Sequence, residues 1–69
     1  GVNMINLKIA RIKAGLSQRE VAERLRVNIN TVSRWEKGTQ KIQIDSLLLL
    51  ADLYGTTTDF LLGRENNEK

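Results

Sequence analysis

The chain has 69 residues, a formal net charge of +3 and neither cysteine nor histidine. That length allows one domain, with a core near the lower size limit for folding without staples, so helical packing has to hold it. The missing cysteine rules out disulfides and thiolate metal sites, the missing histidine removes the commonest metal ligand and general base, and no Gly-rich phosphate loop compensates; neither an enzyme nor a bound cofactor is expected.

Residues 1–3 precede the single methionine, Met4, and carry no functional reading. From residue 4 to 14 nothing breaks a helix, and Gly15 ends it with Leu16 folding back over the end. At about 100° per residue, Leu7, Ala10 and Ala14 share one side of this helix, while Ile5, Ile9 and Ile12 share the opposite side. Ser17 followed by Glu20 is a capping box, and it opens a second helix over 17–25 with Val21, Ala22 and Leu25 on one face. Only Arg26, Val27 and Asn28 remain for a turn before the third helix, over 28–36. There Asn28 is the N-cap, Val32 and Trp35 share a face, and Gly38 is the stop. Two helices crossing steeply over so short a turn leave room for little more than a methyl group at closest approach, which Ala22 supplies.

The segment GTQKIQ has turn-forming and polar residues without an apolar period and reads as a loop. Ile44, Leu47, Leu48, Ala51 and Tyr54 then recur at helical spacing, with Asp45 in the first turn where a negative charge suits the helix dipole, and Gly55 stops the helix. Thr57 caps a short fifth helix with Phe60 and Leu61 as apolar contacts. The expected fold is all-α, five helices in one domain over 4–63 with a polar tail over 64–69. The longest apolar run, Leu47 to Ala51, is far short of the ~20 residues that span a bilayer, and no signal-peptide pattern is present; a cytoplasmic protein without a membrane partner is expected.

Charge is divided along the chain. Up to Lys41 there are nine basic side chains against three acidic ones, and beyond it two against five. A basic half carrying the paired helices, with an acidic half behind it, suits a polyanion approached from one side; a merely solvated surface is the plainer alternative.

The segments LKIARIKAGLSQREVAERL, VNINTVSRWEKG and DSLLLLADLYGTTTDFLLG, in register with one another, make the chain resemble the helix-turn-helix domains of the phage repressor and Cro class, the Xre family, from Leu7 to Gly63. The resemblance implies a lambda-repressor-like five-helix fold and a DNA-binding transcriptional regulator. In such proteins the helix matching 28–36 lies in the major groove, which gives Ile29, Asn30, Ser33 and Arg34 the base-reading role. Their chemistry fits that role independently, since Asn pairs with adenine, Arg with guanine, and Ile packs on a thymine methyl. The resemblance also sets Gln18 against phosphate at the start of helix two, with Arg19, Lys37, Thr39 and Lys41 gripping the backbone and Lys13 adding charge. It further implies an ion pair between Arg11 and Glu36 that ties helix one to the end of the recognition helix. Trp35 is expected in the core, because duplex readers of this class do not unstack bases.

Family members often have glycine where Arg26 stands, at a position that tends to need positive φ, and proline where Ile42 stands. Most relatives dimerise through their C-terminal helices, which nominates Phe60, Leu61 and Leu62 with part of helix four. A helix-one interface through Ile5, Ile9 and Ile12 is the alternative, and Leu49 and Leu53 are also apolar without an evident core role. The expected activity is repression by a homodimer on a two-fold symmetric duplex-DNA site. The competing reading is an antitoxin or interaction module whose main partner is another protein.

Overall fold

The computed structural model describes residues 4–64. Five helices follow in order: α1 (Ile5–Lys13), α2 (Gln18–Leu25), α3 (Ile29–Lys37), α4 (Ile44–Tyr54) and α5 (Thr58–Leu61). No strand forms among the described residues. Residues 65–69, most of the polar tail, lie outside them, as do residues 1–3.

Several boundaries are fixed by local hydrogen bonds. The N–H of Leu16 returns to the Arg11 carbonyl at 3.2 Å across Gly15, whose φ of +77° closes α1. At α2, Ser17 Oγ accepts from the Glu20 N–H at 3.0 Å and the Glu20 carboxylate accepts from the Ser17 N–H at 2.8 Å, the reciprocal capping box. Asn28 Oδ1 accepts from the Asn30 N–H at 2.8 Å to open α3, and Thr57 Oγ1 accepts from the Phe60 N–H at 3.1 Å to open α5.

The turn between α2 and α3 is closed by the N–H of Val27 on the Ala22 carbonyl at 3.0 Å. Arg26 occupies it with φ 60° and ψ 44°, the left-handed conformation that favours glycine. Its side chain is exposed, so nothing in the packing compensates the backbone strain. Arg26→Gly is expected to raise stability by about 0.5–1 kcal/mol, the relief of strain less the added chain entropy, and thermal unfolding checks it.

Ala22 is buried where α2 meets α3, and the core joins it to Leu7, Ala10, Val21, Val32, Trp35, Leu47, Leu50, Ala51, Tyr54 and Leu61. Burying side chains of this size contributes about 1.5–3 kcal/mol each for the large aliphatic ones. Two details differ from the periodicity. On α4 the wholly buried residue is Leu50, while Ile44 and Leu48 are 63 % and 54 % exposed. Four consecutive leucines fit more than one helical phase, and packing against α1 and α5 selects the one through Leu47, Leu50, Ala51 and Tyr54. On α1, Ala14 lies past the last helical residue and is exposed, and Arg11 takes its place on the inner side. A long-range tie also links the ends of the fold: Asn6 Nδ2 donates to the Phe60 carbonyl at 2.8 Å, holding α1 to α5.

Candidate nucleic-acid interface

The outer face of α3 is set by its inner one. Val32 and Trp35 are buried, which turns positions 29, 30, 33 and 34 outward at helical spacing. Ile29, Asn30 and Arg34 are exposed, and Ser33 is partly covered. Asn30 and Arg34 make no side-chain hydrogen bond to another described residue. An apolar contact, an amide and a guanidinium therefore stand along one side of a short helix.

What holds that helix is a buried polar network. Arg11 Nε donates to Glu36 Oε2 at 2.7 Å, with side chains only 11 % and 6 % exposed. The guanidinium also donates through Nη1 to the Leu16 carbonyl at 2.9 Å and through Nη2 to Glu36 Oε1 at 3.4 Å. Gln18 Nε2 completes the set, donating to Glu36 Oε1 at 3.0 Å. The carboxylate of α3 is thus held from α1 and from the first residue of α2 together, and among the described residues no buried side-chain polar atom is left without a partner. The expected Arg11–Glu36 pair is present, with two further contacts that the spacing gave no sign of.

Tyr54, buried on α4, lies within electrostatic reach of Arg11 and Glu36. Burial of its phenol, reinforced by the nearby Glu36 carboxylate and opposed by Arg11, pushes its pKa well above the usual tyrosine value. The folded state therefore keeps its proton at a pH where the unfolded chain has released it. Stability from this source is complete below about pH 10 and falls as pH rises further. Chemical denaturation at stepped pH is expected to show that alkaline loss in the native sequence and a shallower one in Tyr54→Phe.

The residues assigned to the DNA backbone divide by their present contacts. Arg19, Lys37 and Lys41 are exposed, as is Lys13 at the end of α1. Gln18 is half-buried and one of its amide hydrogens is already on Glu36, so a phosphate contact would fall to the other. The Thr39 hydroxyl donates to the Arg34 carbonyl at 3.4 Å, and the Thr39 N–H shares that carbonyl at 3.0 Å, so this side chain closes α3 before it does anything else. Among the dimer candidates, Phe60 and Leu62 are half-buried at the surface, whereas Leu61 is wholly buried and has no area to offer a partner. In a four-residue helix the inner position cannot be picked from spacing, and the sequence placed all three together.

The sequence model of the helix-turn-helix family matches residues 7–61, covering all of α2, α3 and α4. The chain belongs to that family, in its Xre, or Cro/C1, branch. It is 43 % identical over 63 residues to the HTH-type transcriptional regulator ImmR of Bacillus subtilis, an alignment covering 91 % of this chain and 50 % of that protein. It is 34 % identical over 68 residues to the HTH-type transcriptional regulator AnsR of the same species, covering 99 % of this chain and 59 % of that one. The chain thus spans between half and three-fifths of the length of these relatives. In this helix-turn-helix unit α2 and α3 are the paired helices, and no helix among the described residues is long and apolar enough to cross a membrane.

Proposed function

We propose that the protein is a sequence-specific duplex-DNA-binding transcriptional regulator. The observation that carries this reading is the exposed row of Ile29, Asn30 and Arg34 on a recognition helix whose own end is held from α1 and α2 by the Arg11–Glu36–Gln18 network. Base edges demand fixed donors and acceptors, and a rigidly seated helix supplies them. Arg19, Lys37 and Lys41, with the remaining amide hydrogen of Gln18, serve the phosphates, and the basic half of the chain raises the rate of encounter.

The regulator acts in the cytoplasm as a repressor, a homodimer blocking a two-fold symmetric site, and carries out no catalysis. Phe60 and Leu62, with the flank of α4 at Leu49 and Leu53, form the two-fold contact, and half-sites about one helical turn apart follow from it. Titrating the protein against duplex DNA over a series of salt concentrations tests the binding. The affinity is expected to fall steeply with salt, each phosphate contact adding about 0.9 to the slope of log K against log salt; a slope near zero would contradict the proposal.

A further inference from the structure

A helix of four residues does not hold its own orientation, since isolated helices shorter than about 12–15 residues are marginal in water. The short helix α5 is therefore oriented by what it touches. Leu61 is wholly buried and anchors it at one point, but one anchored side chain resists displacement better than rotation. Phe60 and Leu62, both half-buried, flank that anchor, so a turn about it redirects the two together.

Hydrogen bonds restrain that turn at Phe60. Its N–H donates to Thr57 Oγ1 at 3.1 Å, and its carbonyl accepts from the Gly63 N–H at 3.0 Å, both within residues 57–63. The same carbonyl accepts from Asn6 Nδ2 at 2.8 Å, from a side chain 54 positions away in the first turn of α1. Of these three bonds, the one from Asn6 is the bond that refers α5 to the body of the domain. It falls on a carbonyl of the last helical turn, where the helix itself offers no further donor. An amide suits the place, because a carbonyl oxygen needs an N–H and an ionised carboxylate has none to give.

We propose that Asn6 is a positioning residue for the two-fold contact, setting through the Phe60 carbonyl the orientation in which Phe60 and Leu62 meet a second copy. This rests on the two-fold contact through those side chains. Asn6 acts before association. With the bond in place each copy already presents Phe60 and Leu62 in the associating orientation; without it only the correctly turned fraction associates, and the apparent dissociation constant rises as that fraction falls. A neutral hydrogen bond shifts such a fraction by about 2-fold to 10-fold, and the contact takes one Asn6 from each copy, so the effect is squared to about 4-fold to 100-fold. Asn6 stands outside the residues assigned to DNA, so a single half-site is read as before.

Asn6→Ala tests it, since alanine favours the helix and leaves the buried side chains of α1 in place. Sedimentation equilibrium over a concentration series is expected to show the dimer dissociation constant raised by about 4-fold to 100-fold. Affinity for a two-fold symmetric duplex should fall with it, while affinity for a duplex carrying one half-site stays unchanged. In the dilute monomer, amide hydrogen exchange at Gly63 and Arg64, whose N–H groups bond within this segment, should be faster than in the native chain. The melting temperature is expected to fall by only a few degrees, because Leu61 remains buried. A lowered melting temperature with the dissociation constant and both duplex affinities unchanged would make Asn6 a structural tie and overturn the proposal, as would unchanged exchange at Gly63 and Arg64. Leu62→Asp separates the two readings. If it leaves association intact, the two-fold contact fails and takes the proposal with it; if it abolishes association while Asn6→Ala does not weaken it, the proposal fails alone.

Discussion

Arg11→Ala is expected to lower the stability of the fold by about 3–5 kcal/mol, because it strands the Glu36 carboxylate in a site where the side chain is only 6 % exposed. Small domains have a total of about 5–15 kcal/mol, so the variant would be near the limit of folding at ordinary temperature. For a domain of this size the melting temperature should fall by more than about 10 °C. Two of the three remaining contacts fail with it: the Leu16 carbonyl loses its donor at 2.9 Å, and Gln18 is left alone to hold Glu36. The double variant Arg11→Met/Glu36→Leu should recover a large part of the loss, since it removes both charges rather than one. Thermal unfolding of the two variants against the native chain decides the matter. At low temperature, where Arg11→Ala remains folded, its base preference should be unchanged while its affinity falls. A normal melting temperature with altered preference would mean that Arg11 reads DNA rather than seats the helix.

Arg34→Ala carries the largest expected effect on recognition. Its guanidinium is exposed on the outer face of α3 and makes no ion pair with another described residue. A bidentate contact to guanine discriminates against the wrong base by about 1–3 kcal/mol, which is roughly 5-fold to 150-fold for each half-site. The variant should therefore lose its preference at one base pair per half-site while keeping it elsewhere. Lys37→Ala provides the contrast, weakening every sequence alike and lowering the salt slope by about one contact. Binding to a set of sites substituted one base pair at a time separates the two behaviours. If Arg34→Ala weakened all of them equally, Arg34 would be a phosphate contact.

Much of this was legible because the chain marks its own boundaries. Ser17 with Glu20, Asn28, Gly38, Gly55 and Thr57 each satisfy backbone groups locally, so their effect can be read within a few residues. The left-handed turn residue was legible from resemblance, since family members often have glycine where Arg26 stands, and Arg26 takes the conformation that a glycine usually takes. The phase of α4 was not, because Leu47 to Leu50 are interchangeable until α1 and α5 pack against them. Nor was the seat of α3 fully visible. The Arg11–Glu36 pair came from resemblance, but the contact of Gln18 with Glu36 joins side chains 18 positions apart and depends on how α2 meets α3. For the same reason a residue assigned to phosphate turned out to share its amide with the network, and Thr39 to share its hydroxyl with the end of α3.

The central claim is that the outer face of α3 reads base pairs, and selection of binding sites from random-sequence duplex DNA tests it most directly. The expected outcome is an enriched two-fold symmetric motif, its half-sites about one helical turn apart, with one base pair in each half-site losing enrichment when the selection is repeated with Arg34→Ala. No enriched motif from the native chain, or a motif that Arg34→Ala, Asn30→Ala and Ile29→Ala all leave unchanged, would contradict it.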